Sequence, residues 1–587
     1  PQRLRGIGDG MAGVGGEARR VEARIADIVS YLDLWGIIGA AALFTLGLTP
    51  SILPRDWLYQ GLVSGIAAGL GYTLGIALKL VWYRLVVRYV APRHAWLDVA
   101  TWPARRYRLA SRIATAAFVV WMIGFAVFAV RWQRQLADAL SAPAPTIASY
   151  VLVVPLALAV FTAFLFLLRL LRFCVRWLSS HFPQRFRAAY RVAGAVLIVA
   201  LVGTYTVENL IPGAIVGVGE RIFTAQNAEP DPATQRPTSA ERSGSPDSRV
   251  DWNGVGLQGS RFLSSGAHRA ELEEVTGKPA KEPIRAYAGL GNRASNEERA
   301  QLLIDELERT HAQDRKALLL IMTTGTGWVS SYSAQAFELL YGGDTAIAAA
   351  QYSAMPSALH FLSGGGQVER AGQEFINPIV DWWNGLPEDK RPKLYLYGES
   401  LGTTGIEAAF SGVRDIANSV DGILLTGPPH FNRLRTQFVE RRDPGSSEIT
   451  PEYAGGLVVR FANDDAQVRQ WGTVPEEEWG RTRMLYIQHP SDPVAWWSPQ
   501  MAFKEPDWMR ERTPYSAERV MQWMPLISSL QVAADLPGAK DVPDGHGHNY
   551  GASVLDGFAA IAGPDVAGAI DPDELQRQFA ALDVGIY

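Results

Sequence analysis

A serine between two glycines is the feature of this sequence best suited to chemistry. The sequence reads Gly-Glu-Ser-Leu-Gly at 398–402, after a strand-like run at 394–397 and before a helix-like run at 403–420. Glycines on both sides permit the sharp strand-to-helix turn that lifts a serine hydroxyl clear of a sheet edge. We therefore predict that Ser400 is a nucleophile. The pattern also occurs in ordinary loops, so the prediction requires an acid and a histidine further along the chain.

A candidate general base lies near the C-terminus. A serine hydroxyl needs a neighbouring base at neutral pH, and imidazole has the pKa for that task. The loop 544–551 reads Asp-Gly-His-Gly-His-Asn-Tyr-Gly. His548, with glycines one and three places before it and Tyr550 two places after, is the favoured base. His546 remains the alternative, and both could be ordinary loop histidines.

A candidate acid lies between the serine and the histidine. The strand-like run 484–487 and Gln488 are followed by His-Pro-Ser-Asp-Pro at 489–493. A carboxylate at a strand's end, in a turn fixed by proline, can orient an imidazole and stabilise its charged form. We predict Asp492 for this task. Asp464 and Asp465 are rivals, although an Asn-Asp-Asp sequence is commonly a turn or a helix cap.

Backbone amides would have to stabilise the oxyanion of such a hydrolase. One donor is expected from Leu401, which follows the nucleophile. The other is expected from the glycine-containing loop 323–328, at Gly325 or Thr326. A plain glycine turn is the alternative interpretation of that loop.

The second half of the chain alternates strand-like and helix-like runs, which predicts an α/β fold with a mainly parallel sheet covered by helices on both faces. The predicted strands are 284–287, 317–322, 345–350, 394–397, 422–425, 457–461 and 484–487. The predicted helices are 297–310, 333–341, 375–386 and 403–420.

The first half is basic and apolar. Residues 1–222 hold 23 Lys+Arg against 10 Asp+Glu, whereas the rest holds 32 against 49. Each of five apolar runs approaches the ~20 residues that cross a bilayer core. The predicted spans are 34–53, 62–81, 113–130, 150–171 and 192–215. Buried helices of a soluble protein are the alternative.

Arginine distribution predicts the orientation of these spans. Arginines concentrate before the first span, after the second and after the fourth, and such segments tend to remain in the cytoplasm. Five spans would then place the catalytic half outside the cytoplasm of a bacterial inner membrane. We predict a membrane domain at 1–222, a linker at 223–250 and a catalytic domain at 251–587. The polar segment around 225–250 could instead lie ordered on the catalytic domain.

Several other chemistries have little support in the sequence. The lone Cys174 cannot form an intrachain disulfide, and the nine histidines show no metal-ligand spacing. The glycine clusters at 289–291 and 364–366 do not complete a dinucleotide fingerprint. The acidic second half is unsuited to nucleic acid. We expect no metal, no cofactor and no nucleic-acid partner.

Taken together, the apolar first half and the motifs at 398–402, 489–493 and 545–548 resemble those of bacterial integral-membrane α/β-hydrolases. These proteins combine a multi-helix N-terminal membrane domain with a C-terminal catalytic domain. The resemblance covers nearly the whole chain. It implies Ser-Asp-His chemistry carried by Ser400, Asp492 and one of the two histidines, and it implies no particular substrate.

Aromatic residues that follow the predicted acid bear on the substrate. They are Trp496, Trp497, Phe503, Trp508, Tyr515 and Trp523. They could form a cap, an apolar acyl pocket, a membrane-facing belt or ordinary core packing. With a membrane domain, they favour an esterase or lipase acting on a lipid or cell-envelope ester. An acyltransferase with the same triad and a non-catalytic scaffold or transporter are the alternatives.

Overall fold

The computed structural model describes residues 33–82, 84, 104–362, 365–511, 521–551, 553–568 and 570–582. The predicted basic N-terminal segment, most of the basic segment after the second predicted span, and Tyr515 lie outside these residues. The chain folds into two compact units. Unit 1 comprises 1–138, 143–181 and 520–535, and unit 2 comprises 139–142, 182–519 and 536–587.

Unit 2 is built on a seven-stranded sheet in which every strand pairing is parallel. The strands are Ile284–Ala288 (β1), Ala317–Met322 (β2), Thr345–Ala350 (β3), Lys393–Glu399 (β4), Gly422–Thr426 (β5), Val459–Ala462 (β6) and Arg483–Ile487 (β7). Their order across the sheet is β1-β3-β2-β4-β5-β7-β6. Almost every strand residue is buried, as a sheet covered on both faces requires. The predicted fold class is confirmed.

The register of this sheet brings the ends of several strands together. Ala317–Met322 runs beside Lys393–Gly398, so Met322 lies opposite Gly398. On the other side of β4, Glu399 lies opposite Thr426, and Thr426 lies opposite Ile487. The loops after β2, β4, β5 and β7 therefore all leave the sheet at the carboxyl ends of its strands. Ligands bind at this end in open α/β sheets.

Unit 2 also contains many α-helices. They are Ala188–Tyr205 (α6), Ile211–Asn227 (α7), Gly256–Ser264 (α8), Arg269–Thr276 (α9), Asn296–Arg309 (α10), Ser331–Leu340 (α11), Ser357–Leu362 (α12), Gly366–Asn384 (α13), Leu401–Ala409 (α14), Val413–Ser419 (α15), Arg433–Glu440 (α16), Asp465–Gly472 (α17), Pro493–Trp496 (α18), Asp507–Arg510 (α19), Ser553–Ala562 (α21), Pro564–Ala567 (α22) and Pro572–Ala581 (α23). The single helix predicted at 403–420 is wrong: it is two helices, α14 and α15. Phe410 adopts an extended conformation between them, and Gly412 has φ 165°.

The segment predicted as a linker is ordered against β1 instead. The amide of Ser243 donates to Arg285 O over 2.9 Å, and the amide of Arg285 donates to Glu241 O over 3.0 Å. Arg242 is buried, and its guanidinium donates to the carbonyls of Leu263 and Ser265. A polar segment with few apolar residues becomes ordered here because it pairs with the exposed edge of a sheet.

Unit 1 contains the helices Leu34–Gly47 (α1), Trp57–Trp82 (α2), Ala104–Ala139 (α3), Ile147–Tyr150 (α4), Val153–His181 (α5) and Ile527–Asp535 (α20). Glycines allow α1 and α2 to pack with their backbones in contact. A Cβ on Gly39 would lie 2.2 Å from Gly71 O, and one on Gly75 would lie 2.0 Å from Trp35 O. Small residues at helix contacts are typical of membrane-embedded helix pairs.

Three helical stretches of the described chain are long and apolar enough to cross a membrane: Trp57–Trp82 (α2), Ile147–His181 (α4 together with α5) and Ala188–Tyr205 (α6). They contain all or most of the second, fourth and fifth predicted spans. The first predicted span, 34–53, is too long, because α1 has only 14 residues and ends before Pro50. At 1.5 Å per residue it falls short of a ~30 Å hydrocarbon core. The third lies in α3, where many side chains are outside the described part, and stays a prediction.

A late segment of the chain belongs to unit 1. Val520–Asp535 includes α20, although the residues on both sides belong to unit 2. Asp535 is fully buried and lies 3.3 Å from the buried Arg55 guanidinium. Gln531 donates to Thr49 O over 2.8 Å. The prediction of a single boundary at residue 222 assigned Val520–Asp535 to the catalytic domain, whereas it packs in unit 1.

Candidate active site

The turn between β4 and α14 holds Ser400 in an unusual backbone conformation. Its φ of 56° and ψ of −124° lie in a region that residues with a side chain rarely adopt, at a cost of order 1–3 kcal/mol. The amide of Ser400 donates to Thr426 O over 2.9 Å, and Thr403 Oγ1 donates to Ser400 O over 2.6 Å. These bonds hold a strained serine at a strand-to-helix turn, which is the geometry of a nucleophile elbow.

The two glycines of the turn are required by close backbone approach. A Cβ on Gly398 would lie 2.7 Å from the carbonyl carbon of Gly402. A Cβ on Gly402 would lie 2.3 Å from Met322 O, at the end of β2. The second glycine therefore places the start of α14 directly against the end of the neighbouring strand.

Asp492 and His548 form a buried hydrogen-bonded pair. Asp492 caps the start of α18, five residues after β7, and its Oδ1 accepts from the amide of Val494 over 2.8 Å. Its Oδ2 lies 2.7 Å from His548 Nδ1. The imidazole that contacts this acid is thus that of His548 and not that of His546. Since a carboxylate only accepts, Nδ1 carries the proton, and Nε2 of the neutral ring is left as the basic nitrogen.

The His548 ring is packed next to the strand that binds the Ser400 backbone. Gly427 directly follows Thr426, the acceptor for the Ser400 amide. A Cβ on Gly427 would lie 2.5 Å from His548 Cε1. His548 Nε2 is buried and makes no hydrogen bond to any described residue. Thr426 and Gly427 therefore place the Ser400 backbone and the His548 ring next to the same end of β5. His548 Nε2 makes no hydrogen bond there to a described residue.

The predicted oxyanion-hole residues lie around the same strand ends. Leu401 is the first residue of α14, where amides have no partner within the helix. The loop 323–328 follows β2, next to the elbow strand. In this loop the Gly325 amide donates to Ser357 Oγ over 3.3 Å, whereas Thr326 is half-buried and uses its carbonyl to accept from Gln351.

Sequence comparison places the chain in a family. Residues 284–577 match the model of a group described as an alpha/beta-hydrolase family, and residues 48–267 match the model of that family's N-terminus. The chain belongs to this alpha/beta-hydrolase family. No curated protein and no solved structure gives a significant match.

Within this alpha/beta-hydrolase, the two rival acids bind other residues at the start of α17. Asp464 accepts from the amide of Gln467 over 2.8 Å at the start of α17. Asp465 accepts from Ser553 Oγ over 2.5 Å, which joins α17 to α21. Each carboxylate thus has a partner that holds a helix end, and the contact with His548 is made by Asp492.

Two residues that the sequence did not assign a role support the acid. Tyr550 donates its hydroxyl to Asp492 Oδ2 over 2.7 Å, and it accepts from the amide of His489 over 3.1 Å. The His489 ring stacks on Tyr550 with centroids 4.0 Å apart, and its Nδ1 donates to Gly547 O. Burial lowers the pKa of His489 to about 4, so this ring is neutral at pH 7. Tyr550 was noticed only as an aromatic near His548, since sequence does not show where a hydroxyl points.

An ion pair lies beside Ser400. Lys540 Nζ is 2.7 Å from Glu399 Oε1 and 4.7 Å from the centre of the Trp328 ring. Burial raises the pKa of Glu399, but the charge of Lys540 and its hydrogen bond outweigh that effect, so the net pKa is lowered. Lys540, eight residues before His548, therefore contacts both Glu399, directly before Ser400, and Trp328 in the loop 323–328.

Four aromatic rings, here called the aromatic wall, lie on segments that follow β3, β5 and β7. They are Phe361, His430, Phe431 and Trp497. Trp497 lies 5.9 Å from Phe361 and 5.8 Å from His430. Burial lowers the pKa of His430 to about 4, so the wall is uncharged at pH 7.

The other aromatic residues between 496 and 523 lie in different environments. Trp496 and Trp508 are buried and pack on each other at 5.5 Å, as core residues do. Phe503 is 80% exposed. Trp523 belongs to unit 1.

In the described parts of the chain, no group of three or more His, Cys, Asp or Glu side chains could hold a metal ion.

Proposed function

We propose that this protein is a serine hydrolase that cleaves a carboxylic ester through a covalent acyl-enzyme. The observation that carries the proposal is the strained backbone of Ser400 at the strand-to-helix turn. Strain of this kind persists where surrounding structure enforces it, and it is concentrated at catalytic positions. Membership of the alpha/beta-hydrolase family supports the same conclusion.

In the proposed mechanism, His548 Nε2 takes the proton from Ser400 Oγ as that oxygen attacks the ester carbonyl. The Leu401 amide and an amide of the loop 323–328 stabilise the resulting oxyanion. Asp492 holds the His548 Nδ1 proton and stabilises the imidazolium. The imidazolium then protonates the leaving alcohol, and water, activated by the same ring, hydrolyses the acyl-enzyme.

The substrate class is proposed from the surroundings of the strand ends. The aromatic wall is uncharged and offers ring surface suited to an acyl chain. Three helices long and apolar enough to cross a membrane accompany the hydrolase fold. We therefore propose an ester of a lipid or cell-envelope component as substrate, and a membrane location with the catalytic unit outside the cytoplasm.

A fluorophosphonate probe tests this proposal in the full-length protein. We expect the wild type to become labelled, Ser400→Ala to lose labelling, and Ser411→Ala, the same change at an exposed serine, to retain it. Equal labelling of Ser400→Ala would show that the nucleophile is wrong. Absence of labelling in a folded wild type would favour a non-catalytic role. Product analysis with an added alcohol would show whether water or the alcohol accepts the acyl group.

A further inference from the structure

Unit 1 contains an apolar groove with a cationic end. The groove has a volume of about 970 Å³ and lies between the C-terminal end of α1, the second half of α3 and the start of α5. Its floor is a cluster of buried apolar residues formed by Leu48, Ala129 and Val153. A volume of this size is in the range of small-molecule sites.

The walls of the groove expose apolar side chains that no described residue covers. Val127, Val151 and Val154 are 64%, 67% and 58% exposed. Exposed aliphatic residues grouped in a concave surface indicate an apolar occupant, since water would be a poor neighbour. The floor behind them is fixed, because the Tyr150 hydroxyl donates to Arg55 O over 2.9 Å.

The cationic end arises from the same face of α3. Val127, Arg131, Arg134 and Asp138 follow one another at helical spacing and all line the groove. The apolar face thus becomes charged as the helix ends. Neither arginine takes part in an ion pair with any described residue, and their two positive charges exceed the single negative charge of Asp138.

We propose that this groove binds an anionic phospholipid from the surrounding bilayer. The acyl chains lie against Val127, Val151 and Val154, and the phosphate accepts hydrogen bonds from Arg131 and Arg134. A guanidinium suits this task because its planar donors match phosphate oxygens. A lipid without net negative charge would occupy the apolar part but would leave the net positive charge of Arg131, Arg134 and Asp138 uncompensated.

Lipid retention by the full-length protein tests this inference. The protein is purified from bilayers that contain phosphatidylglycerol and phosphatidylcholine with identical chains, and the bound lipids are measured by native mass spectrometry. We expect wild type to retain phosphatidylglycerol preferentially, and Arg131→Gln with Arg134→Gln to lose about tenfold of that preference. Unchanged preference in the double variant would overturn the proposal.

A matched control removes two other arginines. Arg172 and Arg176 are exposed on α5 and do not line the groove, so Arg172→Gln with Arg176→Gln makes the same change in charge. It should keep the wild-type preference. An equal loss in this control would mean diffuse attraction to the membrane and would also overturn the proposal.

A second variant tests the apolar part without touching charge. Val127 is exposed, so Val127→Trp should fold while it fills the groove and lowers retention of both lipids. Undiminished retention would contradict the proposed position of the chains. Ser400→Ala should bind lipid like the wild type, so failure of the proposed enzymatic function and failure of this site are distinguishable.

Discussion

Tyr550 donates its hydroxyl proton to the same oxygen of Asp492 that contacts His548, over a distance of 2.7 Å. Two donors thus share one carboxylate oxygen in a buried position. The second donor fixes the rotation of the carboxylate and competes for its negative charge. Under the proposed mechanism, Tyr550 is therefore a positioning residue that acts through the acid.

Replacement of Tyr550 by Phe tests this role. Loss of a hydrogen bond to a charged group is worth about 1.5–3 kcal/mol, so we expect kcat/KM to fall by about tenfold or more. The remaining His548 contact should strengthen, because the carboxylate has lost its competing donor. The acidic limb of the kcat/KM profile should then move to higher pH.

Tyr486→Phe is the control for that variant. Tyr486 is also buried and donates to a carboxylate oxygen, that of Glu407, over 2.8 Å. It should lower thermal stability without moving the acidic limb. If both variants leave the pH profile unchanged, Tyr550 has only a structural role.

Gly427→Ala should displace the proposed base. The new Cβ would lie 2.5 Å from His548 Cε1, which is far inside van der Waals contact. We expect turnover of an ester substrate to fall at least a hundredfold, because small misplacements of a catalytic group are costly. Initial rates with saturating substrate are the measurement.

Gly277→Ala separates this clash from backbone strain. Gly277 has φ 64°, close to the 58° of Gly427, but a Cβ there would meet no atom within 4 Å. Gly277→Ala should lose about 1 kcal/mol of stability through backbone strain alone, whereas Gly427→Ala should lose more because the new Cβ also clashes with buried rings. Equal turnover in the two variants would contradict the placement of His548.

His489 should make stability dependent on pH. Its pKa is about 4 in the folded protein and near 6.5 when unfolded, because burial disfavours the charged ring. The unfolded chain thus binds more protons between these values, so stability decreases as the pH falls from 6.5 towards 4. The contribution reaches about 3 kcal/mol for a shift of this size.

His489→Asn removes this titration but keeps an amide that can donate to Gly547 O. Thermal unfolding at pH 7 and pH 5 is the measurement. The loss of Tm between these pH values should be smaller in the variant than in wild type. An equal loss would show that other groups account for the acid sensitivity.

Trp497→Ala should affect long acyl chains selectively. Trp497 lies against Phe361 and His430 in the aromatic wall. Removal of its ring should lower kcat/KM for a long-chain ester about tenfold relative to an acetate, if acyl methylenes pack there. Phe503→Ala removes an aromatic ring that is 80% exposed and should leave the ratio unchanged. A ratio unaffected by Trp497→Ala would place the acyl chain elsewhere.

The sequence predicted best what depends on short segments. The bounds of Ala317–Met322 and Thr345–Ala350 agree to the residue, because a continuous apolar run between polar residues is a local signature of a buried parallel strand. The glycine pattern at 398–402 likewise encodes a backbone turn within five residues. The roles assigned to Ser400, Asp492 and His548 stay predictions, with a geometry that fits them.

What the sequence could not decide depends on partners distant in the chain. The segment 225–250 is ordered because β1 offers an open edge, and Glu241 and Arg285 meet there. The hydroxyl of Tyr550 is aimed by the stacking of His489, 61 residues earlier. The choice between His546 and His548 likewise required the position of Asp492.

Because Val520–Asp535 belongs to unit 1, the hydrolase unit cannot be obtained by a simple N-terminal truncation of the chain. A fragment starting at residue 182 would carry α20 without the helices that bury it. Asp535 would lose Arg55, and Gln531 would lose Thr49. Asp535, the last residue of α20, lies only thirteen residues before His548, so a hydrolase fragment made in this way should aggregate or misplace its imidazole. Unit 1 and unit 2 should therefore be expressed and purified together as one polypeptide.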